Sequence, residues 1–118
     1  LIDIASDTQT TCILLDIGPT SCDWNFDTKK ANIIVKRGAN PVQVEIEAIK
    51  IIFELDTGET LVKDLNSIPN VLETKAAEFD LSSDIGLKNL KSLRTGVIIK
   101  YNGVSESCPK SLDNVDCI

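Results

Sequence analysis

The sequence predicts an all-β fold, an antiparallel β-sandwich forming a single domain over 1–118, and three observations carry that expectation. Short runs rich in Val and Ile recur between turn signals at fairly regular intervals, the spacing of a sandwich or barrel. The longest run changes the phase of its alternation partway along, which a strand does at a bulge or a corner between sheets. Four cysteines stand as two pairs near the two ends, a pattern that suits a small domain stapled by disulfides.

Taken in order, "LIDIA" (Leu1 to Ala5) opens a stretch, 1–10, that reads as the end of an upstream apolar helix or as a first edge strand. "CILLDI" (Cys12 to Ile17) is a strand expected to stop at Gly18-Pro19. "ANIIVKR" (Ala31 to Arg37) is a strand ended by "GANP", where Gly38 and Asn40 tolerate positive φ and Pro41 fixes the exit. In Val42 to Leu55 the apolar residues fall first on even positions (Val42, Val44, Ile46) and then on odd ones (Ile49, Ile51, Phe53, Leu55). A regular strand would send these two sets to opposite faces, so a β-bulge at Glu47-Ala48 is predicted; a corner between sheets serves equally well.

"DTG" (Asp56 to Gly58) reads as a hairpin returning through "ETLVKDL", and "SIPN" (Ser67 to Asn70) as a turn. "ETKAAEFDL" (Glu73 to Leu81) resumes a strand with Phe79 and Leu81 on one face. "SSDIGLKNLKSL" (Ser82 to Leu93) reads as a loop with one short helical turn near 84–93, on which Leu87, Leu90 and Leu93 would align. "TGVIIKY" (Thr95 to Tyr101) is a buried strand, Asn102-Gly103 a type I′ turn and "VSESC" the return strand. The tail from Pro109 to Ile118 reads as irregular and pinned by cysteines.

A chain of 118 residues is long enough to bury a core, and its net charge of -6 argues against nucleic acid and anionic membrane surfaces as partners. It begins at Leu1 without Met, the expectation for a mature or trimmed product. The cysteines are ten and nine residues apart within their pairs and His is absent, so zinc is disfavoured and disulfides in an oxidising compartment are expected. The favoured pairing is local, Cys12 with Cys22 and Cys108 with Cys117; its main rival joins Cys12 to Cys117 and Cys22 to Cys108.

Without His, the Ser-His-Asp and Cys-His nucleophile arrangements cannot be built, and no phosphate- or dinucleotide-binding glycine motif occurs. No enzyme activity and no cofactor are therefore expected. Asp80 with Asp84, Asp113 with Asp116, and Asp3 with Asp7 are the closest approach to a cation site, but no segment places oxygen ligands at alternate positions around a turn. They read as solvated acidic surface. Trp24 and Tyr101 would suit an aromatic sugar platform, although a chain with one Trp more often spends it on the core.

The stretch "IIVKRGANPVQVEIEAIKIIFELDTGE", followed by "IPNVLETKAAEFDL" and "GVIIKYNGVSESC", resembles ectodomains of archaeal type IV pilin-like and archaellin-like surface proteins. The likeness runs from about Ala31 to Cys108, as the Lys36-Arg37-Gly38 turn, the apolar strand closing at D-x-G, the step from Ile68-Pro69 to Leu72-Glu73-Thr74, and Asn-Gly with a following Cys. It implies an immunoglobulin-like β-sandwich behind a cleaved class III signal peptide and an apolar N-terminal helix. It also implies an extracellular, cell-surface location and a structural subunit of a pilus- or archaellum-like filament. The partner would be the protein itself in a homopolymer, or another cell-surface protein, with membrane contact only through the N-terminal segment. Leu1, Ile2 and Ile4, by their position, are the candidate assembly residues. The alternative function is a binding module for a surface-layer protein or glycan.

Overall fold

The structure, a computed structural model, describes residues 17–38, 45–101, 103–108 and 114–118. Along the chain lie β1 (Ile17–Asn25), β2 (Lys30–Arg37), β3 (Glu45–Leu55), β4 (Thr60–Asp64), β5 (Thr74–Asp80), α1 (Ser82–Ile85), β6 (Leu90–Tyr101), β7 (Val104–Ser107) and β8 (Val115–Asp116). All strand pairs are antiparallel. They form a three-stranded sheet in the order β1-β2-β5 and a second sheet in the order β4-β3-β6-β7, with β8 also on β6. The molecule is the all-β, two-sheet sandwich that the sequence predicts.

The phase change in β3 is a bulge. Ile46 lies opposite Ile99 and Ala48 opposite Ile98, so Glu47 is the unmatched residue. Beyond it, Ile49, Ile51 and Phe53 face Val97, Thr95 and Leu93, all of them turned inward. One extra residue thus keeps Ile46 on the same face as Ile49, and Ile46 packs against the core. β2 shows the plain version of the rule: Ala31, Ile33 and Val35 are buried while Asn32, Ile34 and Lys36 alternate outward. Between the sheets, Phe53 of β3 meets Phe79 of β5 edge to face, with ring centroids 5.6 Å apart.

Three expectations need correction. β1 does not stop at Gly18-Pro19 but starts just before it, with its register shifting between Pro19 and Ser21. An edge strand tolerates the missing proline N–H, and the polar run through Trp24 hid the strand. Of the "CILLDI" strand, all but Ile17 lies outside the described residues. The helical turn occupies only Ser82–Ile85, and Gly86 at φ 61 ends it. Leu90 and Leu93 are buried on β6, whereas Leu87 is exposed, so the three leucines form no helical stripe. Finally, the C-terminal tail is not irregular throughout.

In that tail Val115 pairs with Leu93 and Asp116 with Ser92, and the Cys117 N–H donates to the Lys91 carbonyl at 2.9 Å. One residue later the chain has changed sheets. The Ile118 N–H donates to the Cys22 carbonyl at 3.1 Å, and the Trp24 N–H donates to the Ile118 carbonyl at 2.9 Å. Cys22 and Cys117 form a disulfide at this crossing, with Cα atoms 4.6 Å apart and a sequence separation of 95. A bridge closing so long a loop contributes about 4 to 5 kcal/mol in the chain-entropy account, well above a local bridge.

Both pairings weighed from the sequence are therefore wrong, since each assigns Cys22 and Cys117 to other partners. The reason is distance along β6. The Cys108 N–H bonds to Val97 and the Cys117 N–H to Lys91, six residues apart, which is about 20 Å of strand. A disulfide needs Cα atoms within about 7 Å. Cys108 is disulfide-bonded as well; Cys12 lies outside the described residues.

The bulge yields a paired deletion test. Removing Glu47 leaves every partner across β3 and β6 in register, so denaturant unfolding should show a loss of about 1 to 2 kcal/mol. Removing Lys50 instead reverses the inward and outward faces on one side of the deletion, and that variant should fail to fold cooperatively.

A candidate docking face on the three-stranded sheet

Alternation in β2 and β5 sends their even-numbered side chains outward, and the bulge at Pro19/Ser21 brings Ser21 and Asp23 of β1 into line with them. Register then sets rows across the sheet: Ser21–Ile34–Ala76, Asp23–Asn32–Glu78 and Asn25–Lys30–Asp80. Small side chains at Ser21 and Ala76 flank Ile34, leaving a shallow trough of about 360 Å³ whose lining includes these three residues with Asp23, Asn32 and Glu78. Its floor is apolar and one end is acidic.

The electrostatics of that end are unbalanced. Lys30 lies 3.7 Å from the Glu78 carboxylate and opposite Asp80 in register, so one ammonium serves two acids while Asp23 faces the same side. Both members of the Lys30–Glu78 pair are about half exposed, and such a pair contributes little to stability. Asp80 also accepts from the Ser82 hydroxyl and N–H, the latter at 3.0 Å, and these bonds hold its carboxyl below the usual range. The opposite sheet is different. Its outer face carries ion pairs, Lys50 with Asp64 and Arg94 with Glu54, around Ile52, which folds toward the open space beside Gly96.

Beside the trough, β5 forms an edge. The Arg37 N–H donates to Glu73 and the Leu81 N–H to Lys29, so the odd-numbered residues bond toward β2. The N–H and C=O groups of Thr74, Ala76, Glu78 and Asp80 therefore point away from the sheet, with no strand beside them among the described residues. The other edges are shorter or covered: β1 by Ile118, β4 with five residues, β7 with four.

The sequence-predicted residues do not gather here. Asp84 pairs with Lys63 at 2.9 Å, Asp80 serves the start of α1, and Asp116 lies in β8 opposite Ser92. Among the described residues no three His, Cys, Asp or Glu side chains converge on a metal-sized site. Asp113, Leu1, Ile2 and Ile4 lie outside the described residues, as does the side chain of Tyr101. Trp24 is half-buried and its indole N–H donates to the Asn89 side chain, so it ties β1 to the chain entering β6. Sequence reasoning missed Ser21, Asp23, Asn32, Ile34, Ala76 and Glu78. The available signal was the Ala-Ala pair inside a proline-free strand, which leaves room above the sheet.

No family model matches the chain, and neither a curated protein nor a solved structure matches it.

Hydrogen bonds and ion pairs hold three exposed carboxylates below the usual range. Glu59 is held low by Lys88, with Thr57 adding a bond; Glu73 by the Asn70 N–H and Lys75; Asp80 by Ser82. A depressed folded value means that the stabilisation is present above the unfolded carboxylate range and is lost as pH falls through the lowered values. Melting temperature should therefore be level from pH 7 to about 5 and decline below about 4. Glu73→Gln should make that decline shallower in a thermal melt series.

Proposed function

We propose that this chain is a non-catalytic structural module of an extracellular appendage, the ectodomain or subunit of a pilus-like or archaellum-like filament at the cell surface. The observation that carries this reading is the Cys22–Cys117 bridge, which ties the first described strand to the C-terminal crossing and persists where thiols are not kept reduced. The absence of His from the sequence removes the commonest acid–base and nucleophile chemistries. The resemblance along Ala31 to Cys108 supplies the filament. In an immunoglobulin-like sandwich of the constant type the fourth strand lies beside the fifth. Here β4 lies beside β3 instead, a variation on that plan which leaves β5 without a second neighbour among the described residues. Assembly through Leu1, Ile2 and Ile4 belongs to the same reading.

The trough and the uncovered β5 edge favour a second reading, a module that binds another cell-surface component, such as a surface-layer protein. Immunogold electron microscopy of native cells, with an antibody raised to this chain, tests both. Gold along surface filaments is the expected result. Gold on the envelope without filaments would replace the first reading by the second, and gold in the cytoplasm together with four free thiols would overturn both.

A further inference from the structure

We propose that β5 takes up an extended, cationic segment of another protein as an added antiparallel strand, with its outward side chains lying over Ala76 and beside Glu78 and Asp80. The proposal rests on the second reading above and names its partner's chemistry. β5 offers seven residues without proline and without a register shift against β2, so its outward N–H and C=O groups form a regular row. Lys75 points toward the core side, half-buried and paired with Glu73 at 3.3 Å, and guards the start of the edge against indiscriminate pairing. From Ala76 to Asp80 no such guard occurs.

Charge and register decide the occupant. Two β5 edges could meet antiparallel only with even residues opposite even ones, because the odd residues bond toward β2 and only the even ones direct their backbone groups outward. Lys75, the only cation on β5, is odd-numbered and would never face Glu78 or Asp80. A second copy paired through this edge thus brings no β5 cation opposite those acids in any register, and Lys30 remains their one counter-charge among the described residues. A strand with Lys or Arg at alternate positions answers both, and the net charge of -6 steers a cation toward the chain. Among the described residues, the face holds one cation between Asp23, Glu78 and Asp80, namely Lys30.

The test uses the 118-residue chain labelled with 15N and two heptapeptides, Arg-Val-Lys-Val-Leu-Glu-Thr and the same peptide with Glu in place of Arg and Lys. The basic peptide should shift the amide resonances of Ala76 and Glu78 saturably, and more than those of Ala77 and Phe79. The acidic peptide should bind at least about tenfold more weakly, the discrimination of one or two charge pairs. Ala76→Pro, which removes an outward N–H and leaves the β2 ladder intact, should abolish the shifts, and Glu78→Lys should erase the preference between peptides. Equal binding of both peptides, no binding, or shifts confined to β4 or β7 would overturn the proposal. So would β5 shifts that depend on protein concentration without peptide, which would identify a second copy. A chain that is gold-labelled at the surface yet ignores the peptides fails here while leaving the functional reading in place.

Discussion

The last residues of the chain hold the two sheets together along one side. Cys117 bonds to β6 and Ile118 to β1, so adjacent residues belong to different sheets, and the Cys22–Cys117 bridge sits at the step. The Thr95 hydroxyl on β6, buried among apolar neighbours, adds a bond to the Ile17 carbonyl at the start of β1. Without this crossing, β1 would be held by β2, by core contact and by two side-chain bonds, Thr95 to the Ile17 carbonyl and the Trp24 indole to Asn89. With it, β1 loses its free edge at Cys22 to Trp24, and the protected side of the sandwich is defined.

On the opposite side no described strand lies beside β5, for a related reason. β4 follows β3 through a tight hairpin, in which Gly58 at φ 89 makes the turn and the Leu55 N–H reaches the Glu59 carbonyl. A connection that short keeps β4 in the sheet of β3 and away from β5. Among the described residues β5 is consequently terminal in its own sheet, with Ala77 and Phe79 half-buried at the margin of the core. Among the described residues, one edge of the three-stranded sheet is covered by the tail and the other has no strand beside it.

Much of the fold was legible in the sequence because alternation and turn chemistry are local. The bulge at Glu47 followed from the shift between Ile46 and Ile49, and the strands at 31–37 and 73–81 from Val, Ile and Phe at alternate positions. What stayed hidden depends on partners distant in sequence. Leu90 and Leu93 fit a helix or a strand equally well until β3 and β8 are placed on either side of them. Cys22 finds Cys117 because β8 docks near the beginning of β6, and nothing near either cysteine announces that. The trough was illegible for the same reason: Ser21, Ile34 and Ala76 form a row only through the register of three strands.

Amide hydrogen exchange on the native chain, compared with a Cys22→Ser/Cys117→Ser variant, bears most directly on the claim that the tail crossing secures β1. The account predicts that the Trp24 and Ile118 amides, which bond across the crossing, lose protection in the variant far more than Ile51 and Phe53 at the centre of β3. Equal losses at all four amides, or an unchanged Trp24, would mean that the tail crossing does not secure β1.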